Sequence, residues 1–331
     1  MTIEATVEPI DILVVGGGPT AIAIGAEARR AGLRPLLVEK GPLLSSLLRF
    51  PRDMTFFTTR ERLEIAGIPF AIPDAKPTRR QAVAYYHSVA RVYNLPLALH
   101  ERVVDIRPGD EELLVTSQSS GGERQRRAPA VALATGYFDS PRLLGVPGED
   151  LDQVHHRFVE PYGHFSEPVV VVGGGNSAVE AAMELWRGGA QVTLVHRGAE
   201  VKPGVKYWLK PDFENRVAEG SLQARFRTVV VQFEEDGLRV KGPGKPDHLR
   251  AAATYVLIGY EPDVTLLRSA GVEVDADSLV PAFDAETCES NVPGLYVAGT
   301  LQAGKDTNRI FIENSRVHSR RIIAHLKARL R

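Results

Sequence analysis

Cysteine is nearly absent from this chain, which has 331 residues and a single cysteine, Cys288. One cysteine excludes an intrachain disulfide, a CxxC dithiol centre and a zinc knuckle built on paired cysteines. An excess of one charge is also lacking, because 40 Lys and Arg residues balance 41 Asp and Glu residues and leave a net charge of −1. No block of like charge is present to attract a polyanion, so we expect no nucleic-acid partner.

Long apolar runs are missing as well, and no uncharged apolar stretch reaches the roughly 18 residues that a membrane span needs. The first residues are acidic, and they lack the positively charged region and the apolar region of a secretory signal. We therefore expect a cytoplasmic protein with no membrane partner. The composition is that of a folded protein, with 44% hydrophobic and 24% charged residues. A chain of this length is expected to form about two domains.

An internal repeat organises the sequence. The string from Val14 to Ala21 recurs, with small changes, from Val171 to Ala178. Each copy opens with a β-branched run, passes through a glycine-rich turn into a stretch of small residues, and resumes as a second strand near Glu39 or His196. Each copy therefore predicts a βαβ unit.

The glycines of both copies have the spacing of a dinucleotide-binding turn. Gly16 and Gly173 allow the tight turn out of the strand, and Gly18 and Gly175 let a pyrophosphate approach the backbone. The helix that follows offers free N–H groups and a partial positive charge to the phosphates. We therefore expect two dinucleotide sites, and two glycine-rich turns in an unrelated α/β protein are the alternative.

The two copies differ where the second strand ends. Glu39 stands where an acidic residue accepts hydrogen bonds from the hydroxyls of an adenosine ribose, as FAD or NAD requires. The second copy has His196 and Arg197 at that place, followed by Lys202 and Lys206. This basic cluster is suited to a 2′-phosphate, so the second site is expected to prefer NADPH over NADH. A solvated basic loop is the alternative.

Local signals predict further elements of an α/β chain. Thr78–Gln81 has the T-x-x-Q pattern of a helix capping box, and the helix is expected to reach about Tyr93. Ser119–Gly122 is a hairpin signal between two strands. Apolar residues spaced among arginines predict a final amphipathic helix from about Asn308 to Leu330.

Over essentially its whole length the sequence resembles the low-molecular-weight thioredoxin reductase superfamily of FAD- and NADPH-dependent oxidoreductases. The shared signatures are the two glycine motifs, with Glu39 and with His196–Arg197, and the strings Ala134–Gly136 and Tyr296–Gly299. Within the superfamily, the chain resembles the bacillithiol disulfide reductase family. Long, unusual strings carry this second resemblance: Phe56–Phe70, Thr135–Asp139, Val205–Asp212 and Ile310–Asn314.

The resemblance implies an α/β fold of two Rossmann-like three-layer domains, thioredoxin reductase-like, in a homodimer. Residues 1–137 and 285–331 would form a discontinuous FAD-binding domain, and residues 138–284 an inserted NADPH-binding domain. The residues implied for FAD are Gly16, Gly18, Pro19, Thr20, Ala21, Glu39, Lys40, Phe57, Val104, Ala134, Thr135, Gly136, Gly299, Thr300, Asn308 and Ile310. Those for NADPH are Gly173, Gly175, Asn176, Ser177, Ala178, His196, Arg197, Lys202, Lys206 and Gly259. No metal site is expected.

The chain departs from the family pattern in one segment and at two single positions. His156–Val159 stands where thioredoxin reductases have the redox CxxC, so the chain is not a dithiol-relay enzyme of that kind. Thr20 stands where bacillithiol disulfide reductases typically have a cysteine, which predicts slow disulfide reduction. Thr300 replaces an aspartate that contacts the ribitol of the flavin in many relatives, and a hydroxyl bonds there more weakly than a charged group.

The favoured function is an FAD-dependent oxidoreductase that passes hydride from NADPH to the flavin and on to a low-molecular-weight disulfide such as bacillithiol disulfide, without a protein dithiol. One alternative is a ferredoxin- or flavodoxin-NADP reductase, which hands electrons to a protein partner and in which Tyr137 or Phe56–Phe57 would cover the flavin. The other alternative is a flavoprotein redox sensor without turnover. Thr20, Tyr137 and His156 are the candidate catalytic residues.

Two expectations concern groups near the end of the chain. The N-terminus of the final helix, near Asn308, is expected to direct its dipole at the flavin pyrimidine ring and favour the anionic reduced form. Cys288 is expected on a surface connection, where acidic neighbours raise the pKa of its thiol and leave it inert.

Overall fold

The computed structural model describes residues 9–244 and 246–330. The strands, numbered along the chain, are β1 (Ile12–Val15), β2 (Pro35–Glu39), β3 (Leu97–Leu99), β4 (Arg102–Pro108), β5 (Leu113–Ser119), β6 (Gly122–Ala128), β7 (Val131–Leu133), β8 (Val154–His155), β9 (Pro168–Val172), β10 (Gln191–Val195), β11 (Gln223–Arg225), β12 (Val229–Glu234), β13 (Gly237–Lys241), β14 (Asp247–Arg250), β15 (Ala253–Val256) and β16 (Leu295–Val297).

The α-helices are α1 (Pro19–Arg30), α2 (Ser45–Leu48), α3 (Arg60–Leu63), α4 (Arg79–Val92), α5 (Asn176–Arg187), α6 (Lys210–Ala218), α7 (Thr265–Ser269) and α8 (Ile312–Arg329). Two 3₁₀ turns cover Tyr162–His164 and Gly299–Ala303. None of the helices in the described part of the chain is long and apolar enough to cross a membrane.

The described residues divide into two compact units. Unit 1 contains residues 9–48, 53–140 and 261–330, and unit 2 contains residues 49–52, 141–244 and 246–260. The short segment 49–52 groups with unit 2, where the N–H of Arg52 donates to the carbonyl of Val159 at 3.0 Å. Unit 1 is therefore discontinuous in sequence.

Unit 1 is built on a parallel sheet with the strand order β16-β7-β1-β2-β3. β1 lies between β2 and β7, with Leu13 opposite Leu36 on one side and Val131 on the other. The antiparallel sheet β4-β5-β6 contributes Ile106 and Val115 to the core that Leu13 also joins. The strand order reverses at β1, and open α/β sheets bind ligands at the carboxyl ends of the strands at such a point.

Unit 2 repeats this plan. Its parallel sheet has the order β11-β10-β9-β15-β8, and β9 takes the place that β1 has in unit 1. Val169 of β9 lies opposite Val192 on one side and Ala253 on the other. An antiparallel sheet, β12-β13-β14, again accompanies the parallel one. The internal sequence repeat thus corresponds to a repeated fold, and the predicted pair of Rossmann-like units is confirmed.

Small residues and local caps explain where the helices form. A side chain at Gly25 of α1 would place its Cβ 2.7 Å from Leu37 of β2, so glycine lets this helix approach the sheet. The predicted capping box of α4 is present, with the N–H of Gln81 donating to Thr78 Oγ1 at 3.3 Å and the N–H of Thr78 donating to Gln81 Oε1 at 2.8 Å. The hairpin signal is also confirmed, because Ser119 pairs with Gly122 at the turn between β5 and β6.

The final helix begins later than the sequence pattern predicts. Asn308 lies in a turn, and α8 begins at Ile312. The side chain of Asn314 sets this boundary, because it accepts the N–H of Phe311 at 2.7 Å and donates to the carbonyl of Arg309 at 2.8 Å. The expectation that the helix N-terminus lies at Asn308 is therefore wrong, and its first turn starts at Ile312.

The borders between the units differ from the predicted domain borders. Along the sequence, the chain passes from one unit to the other between residues 140 and 141 and between residues 260 and 261. The predicted borders were at 137–138 and 284–285. Segment 261–284 groups with unit 1 because Leu267 and Val272 join its hydrophobic core. Residues 1–8 and 331, which the predicted FAD-binding domain includes, lie outside the described part of the chain.

Candidate functional site

The first glycine loop joins β1 to α1 and leaves open space at the start of the helix. Gly16 has φ +124°, and a Cβ at this position would lie 2.6 Å from the carbonyl oxygen of Ala134. At Gly18 a Cβ would meet no atom within 4 Å, and Gly18 caps α1 without a side-chain hydrogen bond. Because the first N–H groups of a helix lack intrahelical partners, the start of α1 forms a cradle that fits a phosphate.

Glu39 ends β2 beside this loop. Its Oε1 accepts the N–H of Gly41 at 2.9 Å and the hydroxyl of Ser45 at 3.0 Å. A Cβ on Gly17 would lie 3.1 Å from its Oε2, so the carboxylate is held against the glycine loop. The structure therefore places an oriented acceptor where the sequence predicts contact with a ribose.

The loop after β7 meets the loops after β2 and β16. A Cβ on Gly136, which has φ +69°, would lie 3.6 Å from Thr300 Oγ1. Lys40, just after β2, forms an ion pair with Asp139 at 2.7 Å. The charge of Lys40 is thus neutralised inside unit 1, and the pair joins two loops at the edge of the site. The same loop after β7 carries the other residues predicted here: Ala134, Thr135 and Tyr137.

Thr20 connects the first glycine loop to α8 and to the loop after β16. Its Oγ1 lies 3.3 Å from Oγ of Ser315 on α8. A Cβ on Gly299, which has φ +70°, would lie 3.0 Å from Thr20 Oγ1. Loops that follow β1, β2, β7 and β16 therefore converge at the carboxyl edge of the parallel sheet, where such folds bind ligands.

The other residues predicted for this site lie on separate segments of unit 1. Phe56 is buried and Phe57 is 59% exposed, so only the second ring of the pair is presented to solvent. Val104 occupies a bulge in β4, and bulges commonly accompany functional sites. Asn308 and Ile310 precede α8, and Asn308 is exposed.

The second glycine loop repeats the first in unit 2. A Cβ on Gly173, which has φ +147°, would lie 2.4 Å from the carbonyl oxygen of Leu257 and 2.8 Å from the Cβ of Ala178. At Gly175 the nearest atom to a Cβ would be Lys202 Cδ, at 3.9 Å. Gly175 also caps α5 without a side-chain hydrogen bond. This loop therefore forms a second cradle that fits a pyrophosphate.

The loop after β10 is fastened to the second glycine loop. The N–H of Lys202 donates to the carbonyl of Gly174 at 2.8 Å. The side chain of Asn176 accepts the N–H of Lys206 at 2.8 Å and donates to a carbonyl of the same loop at 3.0 Å. Because the Asn176 side chain holds this loop, Asn176 and Ser177 offer backbone N–H groups, rather than the amide, to a bound phosphate.

His196 follows β10 in the place that Glu39 has after β2. A Cβ on Gly174 would lie 2.4 Å from its Nε2, so the imidazole covers the second glycine loop. Burial lowers the pKa of His196, and the charges of Lys202 and Arg197 lower it further. The imidazole is therefore neutral at pH 7. Arg197 and Lys202 are exposed, and they carry the positive charge of the predicted cluster.

The structure corrects the role predicted for Lys206. Its side chain is buried, and its ammonium lies 2.8 and 3.1 Å from the two carboxylate oxygens of Glu180 on α5. Because its side chain is buried and Glu180 neutralises its charge, Lys206 anchors its own loop instead of adding to the exposed cations of the cluster.

Two further predicted residues lie in the loops of unit 2. Nε2 of His156 is 4.0 Å from Oε1 of Glu149, and its carbonyl accepts the hydroxyl of Tyr260 at 3.3 Å. Gly259 has φ +108°, and its carbonyl accepts the N–H of Arg142 at 3.0 Å. His156 remains a candidate proton donor with a carboxylate beside its ring.

Cys288 is buried rather than on the surface, so the predicted location is wrong. Its exposed fraction is 1%. Burial is the main cause that raises the pKa of the thiol, and the carboxylates of Asp284 and Glu286 raise it to a smaller extent. A buried protonated thiol is a poor nucleophile, so the predicted inertness follows from burial.

The sequence predicts no metal site, and the described residues contain one group with ligand atoms close enough to hold an ion: Glu234, Asp236 and His248. Nε2 of His248 lies 3.4 Å from Glu234 and 3.2 Å from Asp236. Arg239 also bonds Glu234, at 2.6 Å. This is the arrangement of a surface ion-pair cluster.

Comparison with known proteins identifies the family. Residues 13–299 match the pyridine nucleotide-disulphide oxidoreductases. The chain is 36% identical to bacilliredoxin reductase Bdr of Bacillus subtilis, over 96% of this chain and 97% of that protein. The solved structure of bacillithiol disulfide reductase Bdr (YpdA) from Bacillus cereus superposes with a TM-score of 0.94 at 34% identity, over 97% and 100% of the two chains. A thioredoxin reductase from T. acidophilum shares the fold, with a TM-score of 0.75 at 17% identity over 97% and 99%.

The chain belongs to the pyridine nucleotide-disulphide oxidoreductase family. It is an oxidoreductase with the two-unit, thioredoxin reductase-like fold that the sequence predicts, and its family uses a flavin together with a pyridine nucleotide. The resemblance to bacillithiol disulfide reductases noted in the sequence is also confirmed.

The burial of Cys288 leads to a test of thiol reactivity. We expect the native protein to react with DTNB on the order of a hundredfold more slowly than the unfolded chain, because the thiol is shielded and protonated. In denaturant each chain should release one equivalent of thionitrobenzoate, since it has one cysteine. Rapid reaction of the folded protein would show that Cys288 is accessible.

Proposed function

We propose that this protein is an FAD-dependent oxidoreductase that uses NADPH to reduce a low-molecular-weight disulfide, with bacillithiol disulfide as the substrate. One observation carries the proposal: two glycine cradles of the same construction are followed by Glu39 in unit 1 and by His196 and Arg197 in unit 2. The name of the similar protein from B. cereus, a bacillithiol disulfide reductase, supports the choice of substrate.

Unit 1 would hold the FAD. The cradle of Gly16–Ala21 would take the pyrophosphate, and Glu39, held against the glycine loop, would accept hydrogen bonds from the adenosine ribose. The loops at Gly136 and at Gly299–Thr300 would then line the rest of the cofactor. A bound flavin would supply the redox chemistry, since the sequence has no second cysteine with which to form a dithiol centre.

Unit 2 would hold the NADPH. The cradle of Gly173–Ala178 fits its pyrophosphate, and Arg197 and Lys202 would bind its 2′-phosphate. The guanidinium of Arg197 offers paired donors in a plane, which suits phosphate oxygens. His196 covers the loop as a neutral ring, so the positive charge near the loop comes from Arg197 and Lys202.

No protein nucleophile takes part in the proposed reaction. The only thiol, Cys288, is buried, and Thr20 bonds to another hydroxyl rather than to a base that would remove its proton. The residues of the chain therefore bind and orient the reactants. The homodimer, the cytoplasmic location and the absence of nucleic-acid and membrane partners that the sequence predicts are parts of this proposal.

The flavin that the protein carries tests the assignment of unit 1. We expect the protein to purify with FAD, because Glu39 and the first glycine loop form a site for an adenine dinucleotide. Mass spectrometry of the flavin released by heat identifies it. FMN alone, or no flavin after reconstitution, would contradict the proposed site.

The selectivity for NADPH tests the assignment of unit 2. The substitution Arg197→Ala should raise the KM for NADPH much more than the KM for NADH, because it removes a charge-assisted contact worth about 1.5–3 kcal/mol, on the order of tenfold to a hundredfold in affinity. Lys241→Ala, which removes another exposed cation of unit 2, is the matched control and should change neither value. Equal effects of Arg197→Ala on both nucleotides would refute the assigned role.

The substitution Thr20→Cys tests the proposed substrate. We expect the native protein to reduce bacillithiol disulfide slowly with NADPH and to reduce quinones or oxygen more readily, because position 20 supplies no thiolate. Thr20→Cys should raise the disulfide rate, since the start of a helix stabilises a thiolate. Thr20→Val is the matched control without a thiol.

Three results would decide between the parts of this account. Efficient disulfide turnover by both the native protein and Cys288→Ser would support the proposed substrate and show that the dependence of the rate on position 20 is wrong. A rate that rises as much in Thr20→Val as in Thr20→Cys would remove the role of the thiolate. Failure of both the native protein and Thr20→Cys to reduce the disulfide, with quinone reduction intact, would show that the proposed substrate is wrong.

A further inference from the structure

Two buried polar side chains of α8 reach the loops of the proposed flavin site. Ser315 and His318 lie one helical turn apart and are 2% and 6% exposed. Burying a polar side chain is unfavourable unless it is hydrogen-bonded, so the partners of these residues explain their presence. We call them the α8 polar pair.

His318 bonds to the backbone of the loop after β16. The N–H of Gly299 donates to Nδ1 of His318 at 3.1 Å. Burial lowers the pKa of His318 to about 4, with a smaller contribution from the charge of Arg321, so the ring is neutral at pH 7. Because Nδ1 accepts a hydrogen bond, the single proton of the neutral ring is on Nε2. Only an unprotonated Nδ1 can make this contact.

The peptide that His318 holds is a junction between loops of the site. Gly299 has φ +70° and begins the 3₁₀ turn that contains Thr300. A Cβ on Gly299 would lie 3.0 Å from Thr20, and Thr300 lies against Gly136. A shift of the Gly299 peptide would therefore change the spacing between three of the loops that the cofactor is proposed to contact.

Ser315 supports the same junction from the other side. Its Oγ lies 3.3 Å from Thr20 Oγ1 and also donates to the carbonyl of Ile312 at 3.3 Å. A serine hydroxyl has one proton, so when it is donated to Ile312 the Ser315 oxygen accepts the proton of Thr20. The α8 polar pair thus ties both the first glycine loop and the loop after β16 to one helix.

We propose that His318 is a positioning residue of the flavin site, which accepts the N–H of Gly299 and so holds the Gly299–Thr300 turn in the geometry that FAD binding requires. This inference rests on the proposed FAD site in unit 1. Without the acceptor, the buried N–H of Gly299 loses its partner and the turn relaxes. Binding must then reorder the turn, which weakens affinity for the cofactor.

The experiment compares variants that differ in the acceptor at position 318. The full-length holoprotein is diluted, and the rise in flavin fluorescence on release gives the dissociation constant for FAD. We expect His318→Leu to weaken FAD binding about tenfold or more, the effect of leaving a buried donor unpaired. His318→Asn, whose Oδ1 lies near the position of Nδ1, should stay within about threefold of the native protein. His318→Gln, whose longer side chain carries its amide past that position, should resemble His318→Leu.

His325→Leu is the matched control on the same helix. His325 bonds the hydroxyl of Tyr296 at 2.9 Å and does not contact Gly299, so its loss should lower thermal stability without changing FAD affinity. The Tm of each variant, measured after removal of the flavin, separates general destabilisation from an effect on the site. A tenfold loss of affinity in His318→Leu at a Tm close to that of His325→Leu supports the proposal.

Two results would overturn the positioning role. Equal FAD affinity in the native protein and His318→Leu would show that the contact only fills the core. Equal weakening in His318→Asn and His318→Leu would show that the acceptor atom is irrelevant, and this comparison holds even if one variant folds poorly. A native protein that binds no FAD would instead refute the proposed function itself, so the two failures are distinguishable.

Discussion

The two units depend on a strand that turns directly into a helix through glycine. At Gly16 and Gly173 the backbone has positive φ, and a Cβ would lie against the carbonyl of Ala134 or Leu257, the residue that directly follows the neighbouring strand. Because glycine alone fits there, β1 and β9 can sit in the middle of a parallel sheet and still place a helix N-terminus at its carboxyl edge. The other loops of each site lie around this point because their strands belong to the same parallel sheet as β1 or β9.

The ligand selectivity that we propose for the two units depends on one position in each. Glu39 and His196 both lie against the middle glycine of their loop, Gly17 or Gly174. The two residues occupy equivalent positions but differ in charge. Glu39 is a carboxylate that accepts hydrogen bonds, whereas His196 is a neutral ring beside the exposed cations Arg197 and Lys202. The difference supports unlike dinucleotide ligands without any change of fold.

Local sequence patterns predict much of this architecture, because strands, glycine turns and caps depend on neighbours in the chain. The capping box at Thr78 and the two βαβ units are examples. The predictions that were wrong concern residues whose contacts lie on other elements of the fold. Lys206 looks like a surface cation until Glu180 of another element pairs with it, and Cys288 looks exposed in a polar string that β16 in fact covers. His318 lies four residues before Ile322 and eight before Leu326, so the helical spacing places it on the buried face, but no local pattern shows its partner at Gly299.

The contacts of α8 bring residues that are far apart in the sequence together at the proposed flavin site. β16 and α8 follow unit 2 in sequence, yet Gly299 and Ser315 meet Thr20, which lies near the start of unit 1. The first glycine loop can form with its own strand and helix, but the junction at Gly299 requires segments on both sides of the inserted unit. Since domains fold as units and contacts of large sequence separation form late, the cradle for the phosphates should precede the part of the site that holds the reactive end of the cofactor. The junction at Gly299 is therefore the part of the proposed site that depends on distant segments of the chain, whereas each phosphate cradle depends mainly on its own βαβ unit.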